Sequence, residues 1–255
     1  MYLAIDIGGT KTLIALFSRR GKVIKRIKFK TAQGYKTFVD ELMRNLEGFR
    51  KRKIKSVVVA IPGIVQNNCP IKLGNRNWTN IDLTTPIKNL FSCPLHYEND
   101  ANLAAIYEAH RLPGRTVFLT FSTGIGGGIV EDNKLSPESD GFEPGHVKYT
   151  YDGETKEWED IAAASALENH YHIDYATNLR KKAELEEVAR RINLGLPDIV
   201  KKYHPDTIVL GGPIGKIFKS YVKYLPNDLG VKYKKPRRPN ESVIYGCYIY
   251  AKQKS

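Results

Sequence analysis

The chain opens on an apolar run, Tyr2 to Ile5, that meets Asp6 and breaks at Gly8-Gly9, and apolar positions resume from Thr12 to Phe17. This pattern predicts a strand, a glycine turn and a second strand, with a third strand at Val23 to Phe29. Phe38, Leu42, Leu46 and Phe49 recur at helical spacing from Tyr35 to Phe49, and the β-branched run Lys55 to Ile61 is bounded by Pro62-Gly63. Strand, helix and strand in that order argue for an α/β architecture with a parallel pair. Asp100 to Arg111 is alanine-rich and helical, and Pro113-Gly114 then marks a boundary between two expected lobes, 1–113 and 114–255, with the final segment free to pack back on the first.

Beyond that boundary the opening pattern returns. Thr116 to Phe121 runs into the polar and glycine turn Ser122 to Gly128, and Ile129-Val130 resumes as a strand. Two such copies suggest an internal duplication. Helical patterns follow at Glu157 to Tyr171 and Ala183 to Tyr203, then a buried strand at Thr207 to Leu210 and Gly211-Gly212. Ser242 to Ala251 reads equally as strand or helix.

With 255 residues and 42% hydrophobic content, the chain has the material for a large folded domain or two packed lobes. No apolar run approaches the roughly 18 residues of a membrane helix, and no basic, apolar leader precedes Asp6, so the expected compartment is cytoplasmic with no membrane partner. Cys69, Cys93 and Cys247 are an odd count without CxxC spacing and read as free thiols rather than a disulfide framework or zinc site.

The net charge of +13 raises the question of a polyanion partner. Arg19 to Lys55 carries +11 and Lys216 to Ser255 carries +8, which leaves the rest at −6. That distribution does not fit a continuous nucleic-acid-binding coat, and no nucleic acid is expected. Solvated lysine-rich surface explains it most simply, and a track for a polyanion is the functional reading.

Candidate chemistry gathers at the breaks. Asp6-Ile7-Gly8-Gly9-Thr10-Lys11 sets a carboxylate at a strand end before backbone N–H groups, a hydroxyl and a cation that suit a phosphate, although a glycine pair is also an ordinary hairpin turn. The turn with Thr123 and Gly124 has more glycines than a hairpin requires. Gly211-Gly212 could lie against a nucleotide. Glu98-Asn99-Asp100-Ala101-Asn102 offers four polar side chains where helix capping needs one, and Asp100 is the acceptor suited to a hydroxyl proton. Glu143-Pro144-Gly145-His146 pairs a carboxylate with an imidazole. Glu159 lies among acidic neighbours that suit a solvated face, and Asn75 stands near Trp78, whose ring suits either a sugar or a core.

Taken in order, these motifs resemble the ROK family of sugar kinases, in the actin-like ATPase superfamily. The resemblance covers nearly the whole chain. It implies two ribonuclease-H-like lobes around a central cleft, with ATP and Mg²⁺ as cofactors and a hexose as partner. It implies that Gly8, Gly9, Thr10, Lys11, Thr123 and Gly124 contact phosphates, that Gly211 and Gly212 contact the adenosine, and that Asp6 helps hold Mg²⁺. It further implies that Asn75, Asn99, Asp100, Glu143, His146 and Glu159 contact the sugar, with Asp100 as base toward the 6-hydroxyl of glucose. Most members follow Glu-x-Gly-His with a cysteine-rich zinc loop, whereas Asp152 to Trp158 contains no cysteine, so no structural zinc is expected. Pro213 also replaces a common third glycine.

A short, basic, zinc-free chain is similar as well to glucokinases that use inorganic polyphosphate beside ATP. Kinases of N-acetylated hexosamines or fructose stay open, because sequence does not give pocket width at the 2-position. The non-enzyme alternative is a sugar or polyanion sensor on the same fold. A homodimer is the expectation that family habit supplies.

Overall fold

A computed structural model of the chain describes residues 1–73, 78 and 81–255. It forms two compact units, the first Met1–Tyr107 with Val243–Ser255 and the second Glu108–Ser242.

The first unit runs β1 (Tyr2–Ile7), β2 (Lys11–Phe17), β3 (Val23–Lys30), α1 (Tyr35–Glu47), β4 (Ser56–Ile61), the hairpin β5 (Gly63–Gln66) and β6 (Cys69–Leu73), α2 (Thr84–Leu90), β7 (Leu95–Asn99) and α3 (Asp100–Ala109). Its five-stranded sheet has the order β3-β2-β1-β4-β7. The first three strands are antiparallel neighbours, while β1, β4 and β7 run parallel. Alternation assigns the two faces. Leu3, Ile5 and Ile7 pack with Phe38, Leu42 and Leu46 of α1, and burial of each such side chain is worth about 1.5–3 kcal/mol.

The second unit repeats the plan with β8 (Arg115–Phe121), β9 (Ile125–Glu131), β10 (Lys134–Leu135), β11 (Lys148–Tyr151), β12 (Glu154–Glu157), α4 (Trp158–Ala162), α5 (Ala164–Tyr171), α6 (Lys182–Asn193), α7 (Leu196–Tyr203), β13 (Thr207–Gly211), α8 (Gly212–Lys216), α9 (Phe218–Tyr221) and β14 (Lys232–Lys234). Its order, β10-β9-β8-β13-β14, again joins an antiparallel trio to parallel strands. The same order in both sheets is the duplication seen in the motifs, and it is the ribonuclease-H-like arrangement the resemblance implies. Trp158 anchors the core of this unit, with Nε1 donating to the Arg191 carbonyl at 3.0 Å. The last helix, α10 (Ser242–Gln253), starts at the end of this unit and runs into the first. There Tyr248 stacks on Phe17 with centroids 5.2 Å apart, covering the sheet face opposite α1.

Several expected elements differ. Gly126 to Gly128 are not in a turn, since β9 pairs with β8 from Ile125 onward and only Ser122 to Gly124 remain to make the bend. The single helix expected over Glu157–Tyr171 breaks at Ala163, where ψ is 158°. The one over Ala183–Tyr203 ends at Asn193, because Pro197 has no N–H to continue the ladder and instead opens α7.

Glu108, at the end of α3, accepts hydrogen bonds from the backbone N–H of Arg237 at 2.7 Å and of Arg238 at 3.3 Å, and from the Ser242 hydroxyl. Its side chain is 1% exposed. Glu108→Ala would remove the acceptor of two part-buried backbone N–H groups and leave the Ser242 hydroxyl with the Arg238 carbonyl alone, and urea unfolding should show a loss of about 2–4 kcal/mol.

Candidate active site

The expected site residues fall into two groups, one in each unit. In the first, register does the positioning. Asp6 is level with Ala60 on β4, and Ala60 with Glu98 on β7, so two carboxylates stand at the carboxyl ends of parallel strands, where ligands of open α/β sheets bind. Asp100 follows as the first residue of α3. Asn99 Oδ1 accepts from the N–H of Ala101 at 2.8 Å and of Asn102 at 3.2 Å, and its amide donates to the Gly63 carbonyl at 3.0 Å. Asn99 Oδ1 thus holds the strand-to-helix turn, and one of its two amide hydrogens ties the end of β7 to β5. Glu98 Oε1 accepts from Asn102 Nδ2 at 3.0 Å.

Asp6 is half-buried, and desolvation, helped by the neighbouring Asp100 carboxylate, pushes its carboxyl up to about 7. A folded-state value above the unfolded one means that the associated stability is present at acid pH and is lost as pH rises through about 7. In the metal-free protein, Asp6→Asn should therefore raise Tm by several degrees at pH 8 and by much less at pH 5. A gain independent of pH in thermal melts would contradict the shift.

Gly8, Gly9 and Thr10 form the bend between β1 and β2, closed by Gly8 N–H donating to the Lys11 carbonyl at 3.1 Å. Gly9, Thr10 and Lys11 are exposed, and no atom lies within 4 Å of a Cβ built at Gly9. The bend is pinned by a residue the motifs do not reveal. Thr31 donates from its hydroxyl to the Gly8 carbonyl at 2.8 Å and from its N–H to the Thr10 carbonyl at 2.9 Å.

In the second unit Glu159, on α4, accepts from the N–H of Ile125 at 3.2 Å. A Cβ on Gly124 or Gly145 would lie 2.5 or 2.7 Å from its Oε2, so glycine at both positions is what admits this carboxylate. Glu143 precedes the one-turn helix Pro144–His146 and His146 is its last residue, both exposed. His146 Nδ1 lies 2.8 Å from Glu157 Oε2 and 4.0 Å from Glu159 Oε1. Among the described residues this is the His, Cys and carboxylate cluster whose donor atoms all fall within 4.8 Å of one another. Its short contact is a hydrogen bond, and no cysteine contributes.

Thr123 is exposed and its carbonyl accepts from the Ser165 hydroxyl at 2.6 Å. Gly211 closes β13 and Gly212 opens α8; a Cβ on Gly211 would lie 2.5 Å from the Phe118 ring, so packing alone demands glycine there. Asn75 lies outside the described residues. Trp78 stacks on Phe38 at 5.0 Å and belongs with the core.

The ROK family profile matches residues 2–235. N-acetylmannosamine kinase of Salmonella newport (strain SL254) is 33% identical over 155 residues, 58% of this chain and 53% of that protein, and that of Salmonella typhi matches to the same extent. The chain spans about half the length of these curated relatives. Among solved structures, a ROK family glucokinase from Streptomyces griseus in complex with glucose and AMPPNP superposes with a TM-score of 0.77 at 20% identity over 99% of each chain. An inorganic polyphosphate/ATP-glucomannokinase from Arthrobacter sp. strain KM does so at 0.76 and 22%, over 100% of this chain and 99% of that one. These likenesses establish the fold. No helix among the described residues is long and apolar enough to cross a membrane.

Proposed function

The chain belongs to the ROK family, and from that membership we propose that it is a hexose kinase, transferring the terminal phosphoryl group of ATP to the 6-hydroxyl of glucose. The observation that carries the reading is Asp100 at the first residue of α3, near enough to Asp6 to raise its pKa, in the unit that holds the open Gly8–Thr10 bend.

In this mechanism Asp100 accepts the proton of the sugar hydroxyl as that oxygen bonds to the terminal phosphorus and the bond to the bridging oxygen breaks. Phosphoryl transfer takes the proton late, so the carboxylate chiefly fixes the direction of attack. The Gly8-Gly9 backbone lies against the phosphates, whose oxygens the Thr10 hydroxyl and the Lys11 ammonium bind, with Thr123 and Gly124 as a second phosphate-facing turn. Gly211 and Gly212 lie along the adenosine. Asp6 fits Mg²⁺, because a half-buried carboxyl raised by a neighbouring carboxylate loses that penalty beside a dication; when bound, the ion neutralises phosphate charge. Asn75, Asn99, Glu143, His146 and Glu159 select among sugar hydroxyls, and Asn99 also braces the turn that carries Asp100.

A second reading of the acceptor, N-acetylmannosamine, is favoured by the 33% identity to the Salmonella kinases. Inorganic polyphosphate as an alternative donor is supported by the +11 carried between Arg19 and Lys55 and by the name of the Arthrobacter neighbour. The test is a coupled assay with Mg²⁺ and either donor over glucose, mannose, fructose and the N-acetylated hexosamines. The highest kcat/KM is expected for glucose with ATP; a preference for N-acetylmannosamine would select the second reading, and no turnover of any sugar would sink both.

A further inference from the structure

The hairpin β11–β12 stands where the resemblance leads one to expect a cysteine-rich loop, and its last residue, Glu157, has an unusual use. It occupies the N-cap position of α4 yet makes no side-chain capping bond. It pairs in register with Lys148 across the hairpin, and no ion pair between the two is found among the described residues. Both ordinary partners of a carboxylate at this position, a helix N-terminus and a cross-strand lysine, are passed over, and Glu157 Oε2 instead lies 2.8 Å from His146 Nδ1.

We infer that Glu157 is a positioning residue whose carboxylate holds the Nδ1–H of His146, so that Nε2 is the ring atom presented to the sugar. An ionised carboxylate only accepts, so Nδ1 must carry the hydrogen, and neutral His146 is fixed with Nε2 bare as an acceptor for a hydroxyl. The carboxylates facing the ring are Glu157 from β12, Glu159 from α4 and Glu143 from its own turn, and together they raise its pKa, Glu157 most through the hydrogen bond. On protonation Nε2 becomes a donor without the ring turning. A group one bond behind a ligating imidazole commonly governs its direction and tautomer, and here the hairpin returns Glu157 to the turn that precedes it, eleven residues from His146.

The inference rests on the reading of His146 as a sugar contact, and its test separates the two. Imidazole ¹⁵N spectra, with His146 assigned by its absence in His146→Gln, should show the Nδ1–H tautomer in the intact protein at a pH where the ring is neutral. Glu157→Ala should shift it toward Nε2–H and raise the sugar KM about tenfold while kcat stays within about threefold. Glu157→Gln, whose amide oxygen still accepts, should restore the tautomer and most of the KM. An unchanged tautomer in Glu157→Ala, or a changed tautomer with unchanged KM, would overturn the proposal. If the intact protein phosphorylates no sugar, the kinase reading falls and the spectra judge the clamp alone.

Discussion

Asp100→Asn is expected to lower kcat for sugar phosphorylation by roughly 10²- to 10⁴-fold, the range for loss of a positioned general base, while the sugar KM changes little. The amide keeps the size of the carboxylate and its Oδ1 can still accept from Ala101 N–H, a bond of 2.8 Å, so the start of α3 should survive. What disappears is the anion that takes the hydroxyl proton. Relief of repulsion on Asp6 predicts an unchanged or higher Tm, which keeps lost activity distinct from lost folding. A variant with full kcat would remove Asp100 from the chemistry.

The second large effect is on stability. Gly246, in α10, lies so close to α3 that a Cβ there would sit 1.8 Å from the Leu103 carbonyl oxygen and 2.5 Å from its carbon. Both atoms are backbone, so no rotamer change can make room. Gly246→Ala would force the helices apart, and since α10 stacks Tyr248 on Phe17 and hydrogen-bonds Tyr250 to Glu98, the sheet and the carboxylate cluster would both lose support. A destabilisation above about 4 kcal/mol is expected, against the modest gain that Ala for Gly brings in an unobstructed helix. Urea unfolding reads it directly; a loss under about 1 kcal/mol would show that the helices do not approach this closely.

The apolar runs of β1, β4, β8 and β13 were legible because each is a short segment closed by glycine, proline or a polar residue. Helix α10 was not, since Val243, Ile244, Tyr245, Cys247, Tyr248, Ile249 and Tyr250 surround it with apolar groups and erase the period that marks an amphipathic helix. Of the candidate site, Asp6 and Asp100 were readable from residue type beside a strand end. Thr31 and Glu157 were not, because each acts on residues 11 to 23 positions away through sheet or hairpin register, which no local spacing reports. The resemblance implies Asn99 as a sugar contact, and no sequence pattern shows that its side chain also bonds Ala101, Asn102 and Gly63.

The central claim is tested most directly by ³¹P NMR of the product made from ATP, Mg²⁺ and glucose by the intact protein and by Asp100→Asn at equal concentration. The account predicts a hexose 6-phosphate resonance that grows with ADP in the intact protein and is nearly absent for the variant. Phosphorylation at another hydroxyl, equal product from both proteins, or ADP formed without any sugar phosphate would contradict it.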